Sequence, residues 1–117
     1  MKIAVTCLDG NVHPHFGQCT CVKFYEVEDN KIVSTDVVDM AAPGHSLIAR
    51  VLFGNGANTI ICGNLKPGAA AALEMSGIQL IAGASGPVDA AAEAFLAGTL
   101  QHDPEALTTE TTCGHDD

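Results

Sequence analysis

Apolar residues recur along this chain in two rhythms, and the change from one to the other divides it. Lys2-Ile-Ala-Val-Thr-Cys7 is a short apolar run that stops at Leu8-Asp9-Gly10-Asn11, the pattern of a strand running into a turn. Residues 22–28 and 31–38 are rich in β-branched and aromatic side chains and flank Asp29-Asn30, so they predict a hairpin. These three strands make an antiparallel or mixed meander. After Pro43-Gly44 the spacing becomes helical: Leu47, Ile48, Val51 and Leu52 share one face, and Gly54-Asn55-Gly56 stops the run.

From there strands and helices alternate. Thr59–Gly63 is a fully apolar strand, Pro67 opens a helix through Ala69–Met75, and Gly77 caps it. Residues 78–81 form another short strand. After Gly83-Ala84-Ser85-Gly86, Pro87 starts a last helix over 88–97 that ends at Gly98. The predicted order is β-β-β-α-β-α-β-α, an α/β class, because parallel strands need helix-sized crossovers. Residues 1–100 are expected to form one domain. The Thr/Asp/Glu/Gly-rich stretch 101–117 is expected to be a flexible acidic tail.

Composition narrows the function. The 117 residues suffice for one modest core, and 47% of them are hydrophobic. No apolar run approaches the roughly 18 residues that cross a bilayer, and no leader-like segment opens the chain, so a soluble cytoplasmic protein is expected. With 5 Lys and Arg against 14 Asp and Glu, the formal charge is −9, which disfavours nucleic acid as a partner. Asp103, Glu105, Glu110, Asp116 and Asp117 place much of that charge in the tail. The cysteine count is odd, at 5, and the spacing uneven; free thiols in a reducing compartment are the expectation.

Candidate chemistry concentrates in His13-Pro14-His15-Phe16-Gly17-Gln18-Cys19-Thr20-Cys21. Imidazole and thiolate suit zinc, iron, copper or metal–sulfur species rather than magnesium or calcium. On an extended backbone the His-x-His and Cys-x-Cys spacings put each pair on one side. Gly17 lets backbone amides approach a bound anion. The spacing is not that of a zinc finger. A plainer alternative is that Pro14 and Gly17 shape a turn, Phe16 fills the core edge and Cys21 is a buried strand residue. His45, at the start of the first helix, sits where free N–H groups favour an anion, or with Ser46 merely caps that helix. Cys7 and Cys62 fall in core strands and are expected to be buried. Cys113-Gly-His115 is a second Cys/His pair, in the tail, that either adds ligands or is inert. No nucleophile elbow, phosphate loop or dinucleotide fingerprint is present.

Several of these segments together resemble a known family. The strand Met1–Cys7, His15-Phe16-Gly17, Phe24-Tyr25-Glu26-Val27, Gly44-His45, Cys62-Gly63-Asn64-Leu65, Gly77-Ile78 and Val88-Asp89-Ala90-Ala91 through Gly98-Thr99-Leu100 are similar, in order, to the dinitrogenase iron–molybdenum cofactor biosynthesis family, of the NifX/NafY and NifB C-terminal-domain type. The resemblance implies a ribonuclease-H-like three-layer fold with a five-stranded mixed sheet. It also implies a carrier role for an iron–sulfur or iron–molybdenum cluster without catalytic turnover, with donor and acceptor proteins as partners. His15 matches the family's histidine before Phe-Gly, and His45 its Gly-His position. Cys19 and Cys21 depart from the family pattern, and Cys113 and His115 lie outside it.

The combined expectation is an exposed bed of His15, Cys19 and Cys21, with His13, Phe16, Gly17 and His45 around it and Cys113 and His115 as further metal ligands. A zinc or copper chaperone or sensor using the same loop is the alternative, and a redox thiol enzyme built on Cys19 a third class. Nuclease chemistry is not expected, because Ile3–Cys7 and Thr59–Gly63 carry no carboxylates for paired metals.

Overall fold

A computed structural model describes residues 1–40, 45–65 and 67–100. The strands are β1 (Lys2–Leu8), β2 (Asn11–Val12), β3 (Cys21–Glu28), β4 (Lys31–Asp39), β5 (Thr59–Ile61) and β6 (Gln79–Ile81). The helices are α1 (His45–Gly54), α2 (Pro67–Met75) and α3 (Val88–Ala97), and Phe16–Gln18 forms one turn of 3-10 helix. The expected alternation is present, from the meander through to α3. The sheet differs by one strand, since β2 brings it to six rather than five.

That extra strand follows from its turn. Asp9 and Gly10 both adopt positive φ, 52° and 83°, and Leu8 pairs with Asn11. Such a turn folds the chain straight back on itself. The returning segment is too short to show a period, so the sequence revealed the turn but not the strand. The β3–β4 hairpin uses the same device at Asp29 and Asn30, with φ of 52° and 61°.

The sheet order is β4-β3-β1-β5-β6, with β2 beside β1. The β1–β3 and β3–β4 pairs are antiparallel, while β1–β5 and β5–β6 are parallel. Core residues lie on both faces. Ala4, Val22, Phe24 and Ile60 pack with Ile48, Leu52, Ala70 and Leu73 of α1 and α2. Ile3, Val5, Tyr25 and Ile61 pack with Val88, Ala91 and Ala92 of α3. Burial on both faces explains why β1 and β5 read as unbroken apolar runs rather than alternating ones. Each large aliphatic side chain so enclosed contributes about 1.5–3 kcal/mol.

Two local devices finish the frame. Asp89, in the first turn of α3, accepts hydrogen bonds from the Lys23 ammonium (2.8 Å) and the Tyr25 hydroxyl (2.6 Å), tying the helix to β3. Those bonds hold the Asp89 carboxyl below the usual carboxylate range, and burial with Asp89 nearby pushes Tyr25 up. At the β4 edge a register shift opposite Glu26/Val27 and a bond from the Val37 N–H to the Asp36 carboxylate (3.0 Å) interrupt the open row of donors. Both features discourage another strand from adding there.

Candidate functional site

The topology gathers the loops at one edge. Strands β5 and β6 run parallel to β1, and β4 runs the same way after two antiparallel steps. Strands β1, β4, β5 and β6 therefore all finish at this edge, and α1, α2 and α3 all begin there. In open α/β sheets, the crevice beyond the carboxyl ends of the strands is where ligands bind. The first turns of α1 and α2 contain no acidic residue, so the partial positive charge of those helix starts is not offset by a carboxylate within the turn. The start of α3 is offset by Asp89.

The His13–Phe16 segment is clamped into this edge by its backbone. The His13 N–H donates to the Thr6 carbonyl (2.9 Å), the Gly63 N–H to His13 (3.2 Å), the Asn64 N–H to Pro14 (2.9 Å) and the Phe16 N–H to Asn64 (2.9 Å). The Val12 N–H donates to the Gly86 carbonyl (2.8 Å), joining the loop after β6. Gly63 permits this approach: a Cβ there would stand 2.6 Å from the His13 carbonyl oxygen and 2.7 Å from that of Pro14. Phe16 then enters the core beneath α1 and α2, 1% exposed, leaving His15 exposed on the loop. A groove of about 170 Å³ runs from Phe16 between Ala49 and Phe53 of α1 and Ala69 and Leu73 of α2.

The two histidines of the loop differ in chemistry. His13 is buried, and its Nδ1 accepts the His15 backbone N–H at 2.9 Å. A neutral ring that accepts at Nδ1 carries its proton on Nε2, so His13 offers a hydrogen-bond donor there and not a metal-binding lone pair. Burial, with His15 beside it, lowers its pKa from the ordinary value. The unfolded chain, with a histidine pKa near 6.5, then binds more protons than the native one as pH falls. Stability is expected to decline below about pH 6.5 in the native sequence and less steeply in His13→Gln. Thermal melts from pH 8 to 5 test this, and equal slopes would contradict it.

The cysteines do not form the expected exposed bed. Cys19 is fully buried against the α1/α2 side of the core, with its Sγ 2.7 Å from the Cys21 carbonyl oxygen. Cys21 is half-buried and packs toward the α3 side. Cys19, ahead of β3, packs into the core under α1 and α2 while Cys21, on β3, packs toward α3, so the two thiols fall on opposite sides of the sheet. Burial pushes the Cys19 thiol up, against the pull of backbone groups of Cys21 and Cys7, so it lacks the easily formed thiolate of a redox enzyme. Cys7 and Cys62 are buried as expected, and burial raises each to about 12. Among the described residues, no three His, Cys, Asp or Glu side chains converge closely enough to hold a metal ion. His45 opens α1 at the same edge, and Gly17 lies within the 3-10 turn. Cys113 and His115 lie outside the described residues.

With this geometry in hand, comparison with known proteins identifies the family. The model of the family described as dinitrogenase iron-molybdenum cofactor matches residues 1–98. The chain belongs to this family. One relative of the member described here is an uncharacterized protein of Methanocaldococcus jannaschii, 28% identical over 110 residues, covering 86% of this chain and 90% of that protein. Among solved structures, PH0822 matches with a TM-score of 0.83 at 23% identity, over 91% of this chain and 97% of its own. The apo form of the orange protein from Desulfovibrio gigas matches with a TM-score of 0.72 at 27% identity, over 88% and 92%.

In this family member, sequence reasoning passed over Gly63 and Asn64 as parts of the site. A glycine at the end of an apolar strand was the available signal, since it marks a place where another backbone comes close.

Proposed function

We propose that this protein is a carrier for an anionic metal–sulfur cluster of iron–sulfur or iron–molybdenum type, received from a donor protein and passed to an acceptor without catalytic turnover. The observation that carries this reading is the exposed His15, bridged to Asn64 shortly before α2, on the sheet edge where α1 and α2 begin with no acidic residue in their first turns. Local N–H groups and helix dipoles favour an anion at that edge even in a chain of formal charge −9. Family membership supports the cofactor connection, and the orange protein structure is described as an apo form, that of a protein with something to bind. We read the sheet order, with helices on both faces, as the ribonuclease-H-like arrangement, and the cytoplasm as the site of action.

In this reading His15 is the principal protein ligand, His13 positions it through the backbone bond, and Phe16 and Gly17 shape the turn. Backbone amides near His45 hydrogen-bond the cluster's periphery, whereas those of Gly63 and Asn64 are already donated to His13 and Pro14. Cys21, being half-buried, is the more accessible of the two thiols, whereas Cys19 would have to leave the core to serve. Cys113 and His115 are additional candidates from the tail. A zinc or copper ion held by the same loop has less support, because a bare ion needs several converging side chains while a cluster brings its own sulfides.

Anaerobic purification followed by metal and acid-labile sulfide analysis, with a visible spectrum, tests the proposal. Metal and sulfide are expected together. Metal without sulfide would overturn the carrier reading in favour of the ion chaperone.

A further inference from the structure

Cys7 has no part in the carrier reading, yet it has a specific neighbour. The β1–β3 ladder pairs Val5 with Lys23 and ends with Thr6 on Val22; its register, continued by one residue, brings Cys7 opposite Cys21. Both side chains belong to the α3 side of the sheet. Cys19 and Cys62 belong to the opposite side. Directly opposed residues of an antiparallel pair have Cα atoms about 4.5–5.5 Å apart. Disulfides form over about 4.4–6.8 Å. The four described cysteines are free thiols, and the half-buried Cys21 gives reagents a way to the pair.

We propose that Cys7 and Cys21 form a thiol–disulfide exchange site that takes low-molecular-weight disulfides. The Cys21 thiolate, having lost its proton to water, attacks one sulfur of the small disulfide. A protein–small-molecule S–S bond forms, the original S–S bond breaks, and one small thiolate leaves. The Cys7 sulfur, after losing its proton, attacks the Cys21 sulfur and expels the second small thiolate. The two protein thiols are oxidised by two electrons in total, and the small disulfide is reduced to two thiols. The bridge cross-links the carboxyl end of β1 to the start of β3 and withdraws Cys21 from the loop edge; only that last consequence rests on the carrier reading.

The test uses the full apo chain and oxidised glutathione, followed by alkylation of the remaining thiols and peptide mass mapping. Cys7 and Cys21 are expected to lose alkylation together and to appear in one cross-linked peptide, while Cys19 and Cys62 stay alkylated. In Cys7→Ala, Cys21 is expected to accumulate the mixed disulfide with glutathione. In Cys21→Ser, which leaves the buried partner intact, Cys7 is expected to stay reduced. Full alkylation of Cys7 in the native sequence, or a bridge mapped to any other pair, would overturn the proposal. Because the readout involves no metal or cluster, a negative result here leaves the carrier reading standing, and the reverse also holds.

Discussion

Gly63→Ala is expected to lower stability by about 3 kcal/mol, a fall of about 15 °C in Tm, and to abolish cofactor retention. The new Cβ would lie 2.6 Å from the His13 carbonyl oxygen, 2.7 Å from the Pro14 oxygen and 2.8 Å from the Pro14 carbonyl carbon. These are backbone atoms, which cannot swing aside as a side chain would. Relief requires the His13–His15 segment to move off the loop after β5, breaking the bonds from Gly63 and Asn64 that hold it. The same movement displaces His15. Gly54→Ala is the matched control, because a Cβ there meets nothing within 4 Å. Calorimetry with metal and sulfide counts per chain checks both variants. A Gly63→Ala protein that melts within about 2 °C of the native one would refute the clamp.

His15→Ala is expected to reduce cluster retention at least ~10-fold while leaving Tm nearly unchanged. A surface side chain away from packing and caps usually shifts stability by less than about 0.5 kcal/mol, and His15 is exposed. Its backbone N–H still reaches His13 Nδ1 in the variant, so the loop geometry survives the loss of the ring. His102→Ala, in the tail outside the described residues, is expected to retain cofactor as the native protein does. Equal retention by both variants would remove the loop from the site. The two experiments separate the roles: Gly63 acts through the loop's shape, and His15 through its own imidazole.

Much of the site's setting was legible beforehand because it depends on local chemistry. His15-Phe16-Gly17 stood out as a unit, and the structure divides its roles in a way consistent with that: Phe16 anchors in the core and His15 stays exposed. The Cys-x-Cys spacing misled, since it implies a shared side only where both residues belong to one strand. Here Cys19 lies ahead of β3, which begins at Cys21, and the two pack into opposite sides of the core. What His13 can do at this edge was not legible, because it depends on which ring nitrogen is engaged, and its Nδ1 is engaged by its own loop.

By itself, the sequence determined the element types and their order apart from β2, the turn at Asp9-Gly10, the hairpin at Asp29-Asn30, the burial of Cys7 and Cys62, and the likeness to its family. Each follows from periodicity or turn preference over a few neighbouring residues, or from matching motifs along the chain. Only the tertiary structure decided that three helices begin at one edge, that Gly63 must lack a side chain to admit His13 and Pro14, and that Cys21 faces Cys7 rather than Cys19. Those outcomes depend on strand order and register, which bring together residues some 14 to 50 positions apart. No local pattern encodes such separations, because they emerge only when both faces of the sheet are buried at once.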